Sequence, residues 1–179
     1  METVLTGNKC EVKFGLDLPT IIIAERINPT GRKALAQQLK EGKLDMVKED
    51  AKQQTEAGAE VIDINVGAVG VDEVELLPKA VKAVMEVTDQ PICIDSSDPK
   101  ALKAALEVCP YKLLINSVTG EEKSMEEILP VVKESGSAVV CLTCDEKGIP
   151  KGCGNQIQYS KTDTKKGRII KDTQGKPGF

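Results

Sequence analysis

Acidic and amide side chains recur in this chain where short apolar runs end. Glu25 and Asn28 follow TIIIA, Asp63 and Asn65 lie in EVIDINV, Asp95 closes PICID and Asn116 closes KLLIN, while Thr143 and Asp145 end SAVVCLT and its continuation. Carboxylates and carboxamides offer acceptors and paired donor–acceptor groups, but little acid–base chemistry near neutral pH. They suit a polar heterocycle whose edge carries N–H and C=O groups, each costly to leave unpaired. A carboxylate such as Asp95 can accept from an amino group and a ring N–H, and Asn116 can donate and accept side by side. A metal is the alternative, since Glu25, Asp63 and Asp95 are hard oxygen ligands, though their spacing is not diagnostic. The chain has no histidine, which removes His-based triads, imidazole bases and His zinc ligands.

These residues need a scaffold that gathers strand ends. The runs 20–24, 60–66, 91–95, 112–116 and 137–143 are apolar and continuous, as for strands buried on both faces. Helical patterns fill 44–57, 72–86, 98–108 and 120–135, with Asp72 and the Asp98–Pro99 pair as N-terminal signals. Alternating strands and helices predict a parallel α/β fold of about five βα units. No GxGxxG or GxxxxGK[ST] follows a strand, so a nucleotide-binding wound sheet loses support. A partial (β/α)8 barrel would bring the polar strand ends onto one face. Any one of these acids could instead cap the helix that follows it. Five consecutive polar sectors favour a shared site.

Composition narrows the partners. The 179 residues are 40% hydrophobic, with a formal net charge of −4 and no basic stripe for nucleic acid. No apolar run approaches a membrane span and no leader pattern opens the chain, so a cytoplasmic location is expected, with neither nucleic acid nor membrane as partner. Six scattered cysteines read as reduced thiols, Cys93 and Cys109 as core residues. The Cys141–Cys144 pair, with Cys153 nearby, is a weak metal or redox motif.

The segments AERINPTG (24–31), GAEVIDINVG (58–67), PICIDSS (91–97), LLINSVTGE (113–121) and AVVCLTCDEKGIPK (138–151) resemble the pterin-binding methyltransferases. These are the methyltetrahydrofolate:corrinoid protein methyltransferases and the folate domain of cobalamin-dependent methionine synthase, relatives of dihydropteroate synthase. The resemblance spans roughly residues 12–151 and implies a (β/α)8 barrel that binds pterin at its strand ends. It places the family's pterin-binding Asp on Asp95 and its Asn on Asn116, with Glu25, Asn28, Asp63 and Asn65 lining the same mouth. ERINPTG stands where the synthases carry a pattern like NVTPDSF, which is similar to the methyltransferase branch. The implied reaction moves the N5 methyl of methyltetrahydrofolate to the cobalamin or other corrinoid of a partner protein. The resemblance leaves a homodimer open for a full-length form. Dihydropteroate synthase-like condensation, or a non-catalytic pterin-binding fragment, are the alternatives.

The chain departs from that pattern late. A full barrel takes about 250 residues, so a truncated chain, inactive alone, is expected. Residues 1–19 read as a lead-in, 20–151 as the partial barrel and 152–179 as a divergent tail. The tail has six Lys/Arg and two Asp, a charge of +4 against −8 for the rest. Reading its degenerate codons one base later, from within Gly152, allows AVEIRYSIARRILKKAG, with apolar residues at helical spacing. A frameshift product is therefore expected over a genuine alternative ending.

Overall fold

The computed structural model describes residues 2–142 and 144. Expectations for Thr143, Asp145, Cys153 and the 152–179 tail lie outside the described residues.

Five parallel strands form one sheet in sequence order: β3 (Ile23–Ile27), β4 (Val61–Ile64), β5 (Ile92–Asp95), β6 (Leu114–Thr119) and β7 (Ala138–Leu142). Helices α1 (Lys33–Lys40) and α2 (Asp45–Glu56) connect β3 to β4. Then α3 (Glu73–Met85), α4 (Pro99–Val108) and α5 (Glu122–Ser135) each cross between neighbouring strands. Among the described residues, four consecutive βα units and a fifth strand in one parallel sheet make up the partial barrel expected from the strand pattern. The caps are those the sequence signals. The Asp72 carboxylate accepts from the N–H of Val74 and Glu75, and Asp98 from Lys100, with Pro99 in the first helical position. Along α3, Leu77, Val81 and Val84 are buried, while Val74 in the first turn is exposed.

Side chains alternate across each strand, and the two sheet faces differ. Ile62, Ile64, Ile92, Ile94 and Ile115 pack with the helices in the main core. On the other face, Val61, Cys93, Leu114 and Ala138 meet Leu5 and Val12 in a second cluster. Leu5 and Val12 come from a hairpin, β1 (Glu2–Thr6) and β2 (Glu11–Gly15). The hairpin is held beneath the N-terminal ends of the sheet strands. Thr6 N–H donates to the Lys112 carbonyl (3.1 Å) and Asn8 N–H to that of Asp89 (3.0 Å). Gly7 fits because a Cβ there would lie 2.1 Å from the Asp89 carbonyl oxygen. The lead-in is thus a floor that closes one end of the sheet's inner face.

Two expectations need correction. The first sheet strand is Ile23–Ile27, three residues later than TIIIA, and Ile22 and Ile23 are 58% and 41% exposed instead of buried on both sides. The physical reason is position: among the described residues β3 is an edge strand, paired only with β4. The β3–β4 register shifts between Ala24 and Ile27, a bulge of the kind that re-aims side chains beside sites. The second correction is α1, an eight-residue helix carrying only Leu35 and Leu39 as buried residues. Its apolar signal is one i, i+4 pair.

Candidate functional site

The inner face turns from apolar to polar along every central strand. Two residues beyond Val61 is Asp63, two beyond Cys93 is Asp95, and two beyond Leu114 is Asn116. Asp95 and Asn116 are register partners on adjacent strands. A cavity of about 330 Å³ opens beside them, between the ends of β5 and β6 and the first turn of α5. Its walls are Asp95, Ser96, Ser97, Asn116, Ser117, Thr119, Glu121, Lys123, Ser124, Glu127 and Ile128. That volume lies at the lower end of the range for small-molecule pockets and suits a bicyclic heterocycle.

Beneath this wall the polar groups are ordered by one another. Asn116 Nδ2 donates to Asp63 Oδ2 (3.3 Å), which leaves Asn116 Oδ1 without a partner among the described residues. Asn65 Nδ2 donates to Asp95 Oδ2 (2.7 Å) and Asn65 Oδ1 accepts from the Gly67 N–H (2.8 Å). Both ends of Asn65 are therefore engaged, and its geometry is that of a support for Asp95. Asn28 Oδ1 accepts from the Thr30 N–H (2.9 Å), shaping the loop after β3. Ser96 Oγ donates to Glu73 Oε2 (2.7 Å), tying α3 to the loop after β5.

Carboxylates crowd the centre. Glu25, Asp63 and Asp95 each place an oxygen within 4.8 Å of the others, and none of the three forms a salt bridge among the described residues. Asp63 is only 1% exposed, and its Oδ1 has no hydrogen-bond partner among the described residues. Burial pushes the Asp63 carboxyl up to about 6, the Cys93 thiol and Asn116 amide pull the other way, and the Asp95 and Glu25 carboxylates add to the rise. Burial, with the Asp63 carboxylate beside it, also pushes the Cys93 thiol well above its ordinary value, so it stays protonated. Such a cluster can be relieved by N–H donors on a ligand, by a bound proton or by a divalent cation.

Glu25 faces this cluster because its neighbour is held on the outside. The Arg26 N–H donates to Gln54 Oε1 (2.7 Å) and Arg26 Nε to Asp50 Oδ1 (3.0 Å), both on α2. Arg32 Nη1 pairs with Asp50 Oδ2 (2.6 Å) and also donates to the Arg26 carbonyl. The buried Asp50 thus clamps the segment around Glu25 from behind.

Of the six residues singled out from sequence, Asp95 and Asn116 share the cavity wall, Asp63 lies buried under them and Glu25 joins its acid cluster. Asn28 and Asn65 sit in the loop hydrogen bonds just described. The hydroxyl wall of Ser96, Ser97, Ser117, Thr119 and Ser124, with Lys123, went unread. Its signal was the Ser/Thr density of DSS and NSVTGEEKS where two apolar strand runs give way to polar residues. Cys93 and Cys109 are buried free thiols, as expected. No helix among the described residues is long and apolar enough to cross a membrane.

Comparison with known proteins agrees with this geometry. A family described as pterin binding enzyme matches residues 24–174, which carries the match past residue 151 into the segment that reads as divergent by sequence. The chain is 34% identical over 146 residues to a methylcorrinoid:tetrahydrofolate methyltransferase of Eubacterium limosum, covering 79% of this chain and 52% of that protein. It is 29% identical over 172 residues to methionine synthase of Mycobacterium tuberculosis, covering 93% of this chain and 14% of the synthase. The chain thus spans about half the length of the first relative and a small part of the second. Among solved structures, 7,8-dihydropteroate synthase of Vibrio fischeri superposes with a TM-score of 0.58 at 18% identity, covering 96% of this chain and 65% of that one. Dihydropteroate synthase of Yersinia pestis gives 0.55 at 17% identity, covering 95% and 60%. At such identities these two establish the shared barrel fold alone. With its five-stranded partial barrel, its polar inner rim and a family match over most of its length, this chain belongs to the pterin-binding enzymes.

Proposed function

We propose that this chain is the pterin-holding part of a methyltransferase that works between N5 of a folate and a corrinoid carried by another protein. The observation that carries the reading is the paired Asp95–Asn116 wall, whose amide and carboxylate are oriented from behind toward a cavity of heterocycle size. The names of the E. limosum and M. tuberculosis relatives favour methyl transfer over the condensation carried out by the structural neighbours. The E. limosum protein's name describes transfer toward tetrahydrofolate. A site that lowers the barrier one way lowers it equally in reverse, so the same wall serves a transfer from methyltetrahydrofolate.

In this reading Asp95 accepts from the amino and ring N–H groups of the pterin, while Asn116 presents its free carbonyl. The serines and Thr119 supply short, adaptable donors around the ring. Holding the heterocycle rigid fixes the N5 substituent in line with its acceptor, and such positioning is worth on the order of several kcal/mol. A neutral tertiary amine leaves poorly, so N5 must gain a proton or a strong hydrogen bond as transfer proceeds. The corrinoid supplies the cobalt that takes or gives the methyl group. This chain holds no histidine, so it offers that cobalt no imidazole, and the corrinoid is read as arriving on the partner protein.

The test is a pair of assays on a protein containing this chain. Methyltetrahydrofolate with reduced corrinoid should give methyl transfer, and a pterin pyrophosphate with p-aminobenzoate should give no product. Product in the second assay alone would sink the methyltransferase reading.

A further inference from the structure

We propose that Asp63 is a positioning residue for this site: by accepting the Asn116 amide hydrogen it turns the Asn116 carbonyl into the cavity, so that Asn116 and Asp95 face the ligand as acceptors and select a ring edge carrying adjacent N–H donors. The inference rests on the pterin reading and deepens it by naming what sets the ligand's hydrogen-bond pattern.

An asparagine on a pocket wall can present either its donor or its acceptor, because the two ends of the amide are nearly the same shape. Here the choice is made from behind. Asp63 Oδ2 lies 3.3 Å from Asn116 Nδ2, and flipping the amide would set two acceptors against each other at that distance. Asp63 itself is 1% exposed and fixed on a central strand, so it cannot turn away. The groups facing it are Glu25 from β3, Cys93 and Asp95 from β5, and Asn116 from β6. Three of these offer an acid or a protonated thiol, and only Asn116 brings an amide donor. Asp95 is oriented in the same manner, since Asn65 Nδ2 takes its Oδ2 and leaves the other oxygen for the cavity. The two register partners therefore both present acceptors. A 2-amino-4-oxo pyrimidine ring, with its amino group and N3–H side by side, matches such a wall. A 2,4-dioxo ring puts an acceptor where the amino group would be.

The experiment is calorimetric titration of the chain with 6-methylpterin and with 6-methyllumazine, the 2-oxo counterpart. Parent, Asp63→Leu and Asp63→Asn are compared, with thermal melts as fold controls. The parent should prefer the pterin by at least tenfold. Asp63→Leu frees the Asn116 amide to rotate, so the preference should fall to threefold or less, chiefly through weaker pterin binding. Asp63→Asn keeps size and polarity but permits both amide orientations, and should give an intermediate ratio. A general loss of packing would weaken both ligands alike and leave the ratio unchanged. An unchanged ratio in a variant that still melts cooperatively overturns the positioning role while leaving the pterin reading intact. Failure of the parent to bind either ring overturns the pterin reading, and this inference with it.

Discussion

Asp63 concentrates the chemistry of the site in one buried carboxyl, and its ionisation should be visible in stability. Its ordinary value is 3.8 and the folded chain raises it to about 6. Between those values the folded state holds a proton that the unfolded chain releases, so stability falls as pH rises through that window. The contribution is fully present below about pH 4, is lost above about pH 6, and amounts to roughly 3 kcal/mol. Asp63→Asn should remove this slope from urea unfolding measured between pH 4 and 7. The parent–variant difference isolates it, because the exposed Glu41 and Asp89 carboxyls, held down by hydrogen bonds from Lys43 and Asn8, act oppositely in both proteins. A parallel pH dependence in the two would contradict the buried, crowded environment assigned to Asp63.

At the scale of elements, what could be read in the sequence tracks how local each signal is. The four longer helices were legible because each carries an apolar stripe, and two of them also carry an N-cap, Asp72 for α3 and Asp98 for α4. The central strands were legible from their continuous Val and Ile content, and Asp95 and Asn116 followed as the first polar residues after each apolar run, although β6 runs on to Thr119. The hairpin was not, because ETVLT and EVKFG bury little beyond Leu5 and Val12 and owe their order to contacts about 80 residues away at Asp89 and more than 100 away at Lys112. The bounds of β3 are not legible in the sequence, because three isoleucines resemble a core strand, whereas their place at a sheet edge is a tertiary fact. The hydrogen bonds that Asp63 accepts from Asn116 and Asn65 donates to Asp95 are side-chain geometry that no spacing rule contains. The hairpin's role is testable at Gly7. Gly7→Ala forces a Cβ into the Asp89 carbonyl, and should cost about 1–3 kcal/mol in urea unfolding, as overpacking does. Wild-type stability would show that the hairpin does not close the floor.

For the whole molecule, the governing feature is a sheet whose two outer strands, β3 and β7, each have one paired neighbour among the described residues. Ile22 and Ile23 at one edge and Leu142 at the other (46% exposed) leave apolar surface beside unpaired strand. Exposed parallel edges of this kind favour association. The isolated 179-residue chain should therefore self-associate in a concentration-dependent way, and Ile22→Lys with Leu142→Lys should shift it toward monomer in sedimentation velocity. A monomeric parent would show that the edges are covered. The fold and the proposed chemistry meet at the inner rim, where the strands that build the partial barrel also carry Asp95 and Asn116, the proposed ligand wall. Calorimetric titration of the chain with 5-methyltetrahydrofolate, set against Asp95→Ala, tests that connection most directly. One saturable site, weakened in the variant by about 1–3 kcal/mol from stranded polar groups, is the predicted result; equal affinity in parent and variant would contradict it.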